Sequence, residues 1–282
     1  MDDFSSLGVQ EIFTNNSILV SSSRYLNHPL MREALATAML RRNGRERRVG
    51  WDSTPIVRAY RELRDAGHIN TLLAEERRIN PQLDRWLEEK FIATYTRTDL
   101  EKYAAGTLGN IYFNHLVKMG FDIDLDPNLR RDRNWRPGTD LEYYETRAAQ
   151  CHDFEHLMAG TGFDFLAEIP AFFMRIENAF RHFSPELAGE LSAIHLLLIL
   201  PMISRTMLHY PRAWPVVSEY MRRGMEIGRN SGPFLLARYE DLFHLTIPQV
   251  RKTLGIPPQQ EVDNSELANY WSEGAQYGTM AG

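Results

Sequence analysis

Apolar residues return every third or fourth position along most of this chain, and no segment sustains the alternation that a half-buried strand needs. Leu83, Trp86, Leu87 and Phe91 keep that spacing after Asn80-Pro81. Leu100, Tyr103, Leu108, Ile111, Tyr112 and Leu116 form a second stripe, with Gly106 and Gly109 inside it. Small residues there let another backbone or a ligand come close. Leu187 to Ile203 is apolar on nearly every side, which marks a helix at the centre of a core. Arg212 to Arg229 is amphipathic, and Phe234 to Phe243 and Ile247 to Leu254 carry the pattern on to Gly255 and Pro257-Pro258. Helix starts are marked by Pro29, by Asp52-Ser53-Thr54-Pro55, by Thr139 or Asp140, and by Ser184-Pro185-Glu186. The pattern predicts an all-α fold of about ten helices. Residues 1–28 read as an irregular N-terminal segment, 29–258 as one helical domain and 259–282 as a polar tail. Asp122 to Thr139, with Pro127 and Pro137-Gly138, reads as a long loop.

Composition narrows the class. A chain of 282 residues can bury a sizeable core, and 43% hydrophobic with 24% charged residues is the balance of a soluble globular protein. A formal net charge of -5 gives no reason to expect nucleic acid. The one cysteine excludes an internal disulfide framework, in keeping with a reducing cytosol. Met1-Asp2-Asp3-Phe4-Ser5 is neither a secretory signal nor an Arg-rich transit peptide. The longest apolar run, Leu196 to Ile203, is far below the ~18 residues of a membrane span, so the chain is expected not to cross a membrane. Arg41, Arg42, Arg45, Arg47 and Arg48 read as a solvated connector, or as a patch drawn to anionic lipid head groups.

The chemistry concentrates in CHDFEHLMAGTGFDFLAE, Cys151 to Glu168. His152 and His156 lie on one helix face, with Asp153 at its edge. An unbroken helix would carry Glu168 about 18 Å from His156. A reversal at Gly160-Thr161-Gly162 brings the carboxylate back to the height of the imidazoles. Two imidazoles with one or two carboxylates suit zinc, iron or manganese better than a thiolate-loving ion. Pro170 places the next helix start near Glu168, where the helix dipole lowers a carboxylate pKa. That helix region, Phe163 to Phe183, is unusually aromatic.

Several blocks together resemble the ubiquinone (coenzyme Q) biosynthesis family founded by the fourth protein of the yeast pathway. Gly106-Thr107-Leu108-Gly109 with Tyr112 and Phe113, then Gly120-Phe121-Asp122, looks like its GTxG segment. Tyr143 and Arg147 precede the site at the family's spacing, and His152-Asp153-x-x-His156 followed by Glu168 reproduces its HDxxHx11E signature. Trp214, Gly224, Tyr239-Glu240-Asp241 and Val250 to Ile256 resemble its closing blocks. The resemblance implies an all-helical protein in which His152, Asp153, His156 and Glu168 hold one divalent metal. Zinc is the first choice, with iron, manganese or magnesium as alternatives. It further implies metal-dependent, in one form oxidative, C1 decarboxylation of a polyprenylated hydroxybenzoate. Implied partners are that isoprenoid substrate, a membrane surface, other quinone-biosynthesis proteins and a second copy in a homodimer. The implied location is the cytoplasmic side of a bacterial inner membrane. Glu155 departs from the large apolar residue usual there; as a carboxylate beside a cation it is expected to stay ionised and serve as an extra ligand or a proton acceptor, or else to face water.

Three other readings compete. His152 to His156 also fits HxxEH, the inverted zinc-peptidase pattern, although those enzymes are larger α/β proteins. A metal-dependent hydrolase would draw on His115 and Asp241. A non-catalytic scaffold would use the aromatic helices to line a polyprenyl tunnel.

Overall fold

The computed structural model describes residues 21–40, 53–119 and 136–272. The start of the N-terminal segment, the basic run from Arg41 to Arg48, Gly120-Phe121-Asp122 and the end of the tail lie outside the described residues. Every regular element described is helical, and the fold is all-α. In chain order these are α1 (Arg24–Asn27), α2 (Pro29–Leu40), α3 (Ser53–Leu63), α4 (Ala66–Ile79), α5 (Pro81–Glu89), α6 (Arg97–Glu101) and α7 (Leu108–Met119). The second half holds α8 (Asp140–Ala159), α9 (Glu168–His182), α10 (Pro185–His209), α11 (Trp214–Asn230), α12 (Ile247–Thr253) and α13 (Ser265–Ser272).

Local chemistry explains the boundaries. The Asn80 side chain accepts from Leu83 N and Pro81 opens α5, while the Thr139 hydroxyl accepts from Glu142 N to start α8. The stripe expected as one helix from Leu100 to Leu116 is divided, because Gly106 takes φ +81° between α6 and α7. Phe234 to Phe243, expected to be helical, folds as two short 3-10 turns, Phe234–Leu236 and Tyr239–Leu242. Helix α4 was not anticipated; its cap is Asp65, which accepts from His68 N.

The segment read as a polar tail also does structural work. Ala268 and Trp271, three apart on α13, are buried with Phe165 and Tyr210, and the Trp271 indole N–H donates to Thr206 Oγ1 at 2.9 Å. Two apolar residues are too short a pattern to stand out among polar neighbours.

Helix α10 is longer than its unbroken apolar run, and by length and composition it would reach across a membrane. It packs against α2, α3, α4 and α9, with Leu197 in the core shared with Met31 and Ile56. Against α9 from its other side lies α11, at unusually close range. A Cβ on Gly224 would stand 2.5 Å from Pro170 O, and one on Gly228 2.6 Å from Met174 O. These glycines, four apart, form one face of α11 and set the position of α9, which carries Glu168.

Gly224→Ala should therefore cost about 2 kcal/mol through overpacking. Gly189→Ala, inside α10 with open space at its Cβ, should be neutral or stabilising by up to about 1 kcal/mol. Urea denaturation of both variants checks this, and equal destabilisation would refute the account of the α9–α11 contact.

Candidate metal centre

Helix α8 ends where Gly160 enters the left-handed region at φ +68° and returns its N–H to His156 O. Two buried arginines hold that end. Arg251 donates from Nε to Met158 O and from Nη2 to Leu157 O, and Arg223 donates from Nη1 to Ala159 O. They satisfy carbonyls that the helix itself leaves unpaired and place positive charge at its negative pole. The chain then turns at Asp164, whose carboxylate accepts from Leu166 N and Ala167 N, and a single 3-10 turn delivers Glu168 as the first residue of α9.

The result is a convergence of three donors. His152 Nε2 lies 2.9 Å from Glu168 Oε2, His156 Nε2 lies 3.2 Å from His152 Nε2, and His156 Nε2 lies 3.6 Å from Glu168 Oε1. A tetrahedral zinc with ligands at 2.0–2.2 Å separates its donor atoms by roughly 3.3–3.5 Å. The triad's distances of 2.9, 3.2 and 3.6 Å bracket that spacing, and its nitrogens and oxygens suit a divalent ion. His156 Nδ1 is buried with no hydrogen-bond partner, so the ring's polar contacts are all on the side facing the triad.

The electrostatics are those of a charge-paired cluster. Burial alone would raise the Glu168 pKa, but the His152 and His156 imidazoles outweigh it and hold the carboxyl well below the usual range. The depression expected from its place at a helix start is therefore present, with the imidazoles as its cause. Burial works to lower the His152 pKa, and Glu168 reverses this and raises it. Phe172 stacks on the His152 ring with centroids 5.8 Å apart. Phe163 stacks on His115 at 3.5 Å and tilts over His156 at 5.6 Å.

Of the residues expected from sequence, His152, His156 and Glu168 meet. Asp153 stands outside that group, turned about 100° around the helix from His152. Its charge acts instead on His115 of α7, partly opposing the lowering that burial imposes there. Glu155 neither joins the donors nor faces water. It is buried, with Oε2 accepting from Arg175 Nε, and burial pushes its pKa above the usual range despite that partner. The expectation of a depressed pKa fails because desolvation wins. Two residues that spacing did not single out also belong here: Arg175, which further donates from Nη2 to Ala148 O at 2.6 Å, and His195 of α10, whose ring lies 5.5 Å from Phe172.

The model of the family described as "Coenzyme Q (ubiquinone) biosynthesis protein Coq4" matches residues 81–260. The chain belongs to the Coq4 family. The matched segment runs from α5 through the arginine-held end of α8 to the stretch just before α13. Membership places the chain in ubiquinone biosynthesis. A crystal structure of a protein assigned to ubiquinone biosynthesis in Nostoc punctiforme PCC 73102 is similar in fold, with a TM-score of 0.53 and 19% identity over 73% of this chain and 88% of that one. A search of curated proteins gives no match. Arg147 and Glu240, from two separate blocks of the family resemblance, meet in space. Arg147 donates from both Nη atoms to the two Glu240 carboxylate oxygens, each at 2.9 Å, and also reaches Gln150 and Cys151.

Removing one partner of a buried ion pair leaves an uncompensated charge. Glu155→Gln should therefore destabilise the Coq4 fold by about 3 kcal/mol. Thermal and chemical unfolding measure this, and a loss under about 0.5 kcal/mol, the range of exposed sites, would contradict the buried pair.

Proposed function

We propose that this Coq4 protein binds one divalent cation, zinc first, at His152, His156 and Glu168, and there decarboxylates a polyprenylated hydroxybenzoate at C1. The observation that carries the reading is the convergence of two imidazole nitrogens and a carboxylate within ligand spacing of one another. Asp153, one position along α8, stands outside this donor set and acts on His115 instead. When bound, the cation supplies charge stabilisation for the aromatic acid and for the negative charge that develops on its ring as CO₂ leaves. The chain's own part is to hold the donors in place: Glu168 is ionised by its two imidazole neighbours, and His152 is fixed by Glu168 and stacked on Phe172. The C1–carboxylate bond breaks with its electron pair left on the ring, and a proton replaces CO₂ at C1. The oxidative form of the step requires iron or a separate oxidant, since zinc has no redox chemistry. We assign Glu155 to holding Arg175 beside the site rather than to proton transfer.

The same reading puts the polyprenyl tail against the aromatic and aliphatic helices. A peripheral position on a bacterial inner membrane is supported by the exposed apolar side chains of α10, Leu196, Leu200, Met207 and Leu208, and by the five arginines between Arg41 and Arg48. Other quinone-biosynthesis proteins and a second copy of the chain complete the proposed set of partners.

His156→Ala should lose most bound metal while its far-ultraviolet circular dichroism stays that of the wild type. Elemental analysis of purified protein checks this. Full occupancy would end the claim, and global unfolding would favour a structural metal and the scaffold reading. Lipid recognition has its own test: at roughly 25 cal/mol per Å² of apolar burial, a prenylated head group should bind far more tightly than the free one in calorimetry. Equal affinities would argue against a tail site.

A further inference from the structure

Two polar atoms on α10 have no hydrogen-bond partner among the described residues. His195 Nδ1 and Ser192 Oγ, both on α10, are buried and make no hydrogen bond. Spaced three apart, they share one helix face. That face continues through Ala188, which sits in the same core cluster as Ala179 of α9, and Met202, which packs in the cluster containing Phe173 of α9. His195 and Ser192 thus look onto α9 at the level of Phe172, and the Phe172 ring touches both imidazoles, His195 at 5.5 Å and His152 at 5.8 Å between centroids. Phe172 thus links His195 of this pair to His152 of the metal donors.

Buried hydrogen-bonding groups left unmade destabilise a fold, and two together call for a partner from outside. The chemistry of that partner follows from charge. His195 is held neutral, since burial lowers its pKa well below the ordinary value and the nearby charges of Arg175 and His152 lower it further. A neutral imidazole and a hydroxyl offer one acceptor and one donor but no net charge. They match a phenolic hydroxyl, whereas a carboxylate belongs with the cationic centre. We propose that His195 and Ser192 form a phenol-recognition subsite that hydrogen-bonds the ring hydroxyl of the aromatic acid and so orients its carboxyl toward His152, His156 and Glu168. The inference rests on the aromatic-acid reading of that site and adds its specificity.

The test uses the zinc-loaded full chain and two probes, 4-hydroxybenzoate and benzoate, which differ only in the phenolic hydroxyl. Calorimetry should show the wild type preferring 4-hydroxybenzoate by about ten-fold, the worth of one good hydrogen bond. His195→Leu should abolish the preference while leaving benzoate affinity and zinc content unchanged. Its thermal midpoint should hold or rise, because an unpaired buried nitrogen is gone. Ser192→Ala should weaken the preference, and His195→Asn, which keeps a polar atom near Nδ1, should restore part of it. No preference in the wild type, a preference that survives His195→Leu, or a parallel loss of both probes with a lower midpoint would each overturn the subsite. Failure of zinc-loaded wild type to bind either acid would instead overturn the aromatic-acid reading, and the subsite with it.

Discussion

A carboxylate buried between two imidazoles is the interaction that the rest of this molecule is built to maintain. Glu168, His152 and His156 lie on two helices that the sequence separates by a turn, so their meeting depends on how sharply the chain reverses after α8. Gly160 makes the reversal possible, and Asp164 aims the short turn that follows. Arg251 and Arg223 then fix the end of α8 by binding its last carbonyls. Both arginines also donate to carbonyls of Gln259 and Gln260, so the chain after α12 is tied to the site it never enters.

The second constraint is desolvation. Burying Glu155 and Arg175 together beside the donors places a matched pair of charges next to the triad. Arg175 touches α8 through Ala148 as well, so the pair holds α8 and α9 at a fixed separation. From the far side, the glycine face of α11 lets α9 approach until its backbone is in contact. Position of the carboxylate is thus set by packing on one side and by charge on the other. A site with this much support keeps its donors at ligand spacing without the ion's help.

Much of this could be read from the chain because it follows from periodicity and turn chemistry. The all-helical class came from the 3.6-residue pattern, and the triad came from two imidazoles on one helix face and a glycine reversal at the right height. Glu155 shows where spacing fails: being about 100° from His156 does not say whether a side chain meets solvent or a buried arginine twenty residues later. His195 was invisible for the same reason, since it arrives from a third helix with no local motif. Arg147 and Glu240 each belong to a block legible in the chain, yet their pairing across ninety-three positions is a property of the fold alone. Helix α13 escaped because two buried apolar residues carry too little pattern.

The central claim is that the meeting point of His152, His156 and Glu168 is a metal-binding centre. X-ray absorption at the metal edge of purified, metal-loaded protein tests it most directly. The account predicts one ion per chain with two imidazole nitrogens and carboxylate oxygen in its inner shell, at roughly 2.0–2.2 Å for zinc. A shell of water oxygens alone, or the same imidazole signal after Glu168→Ala and His156→Ala are combined, would contradict it.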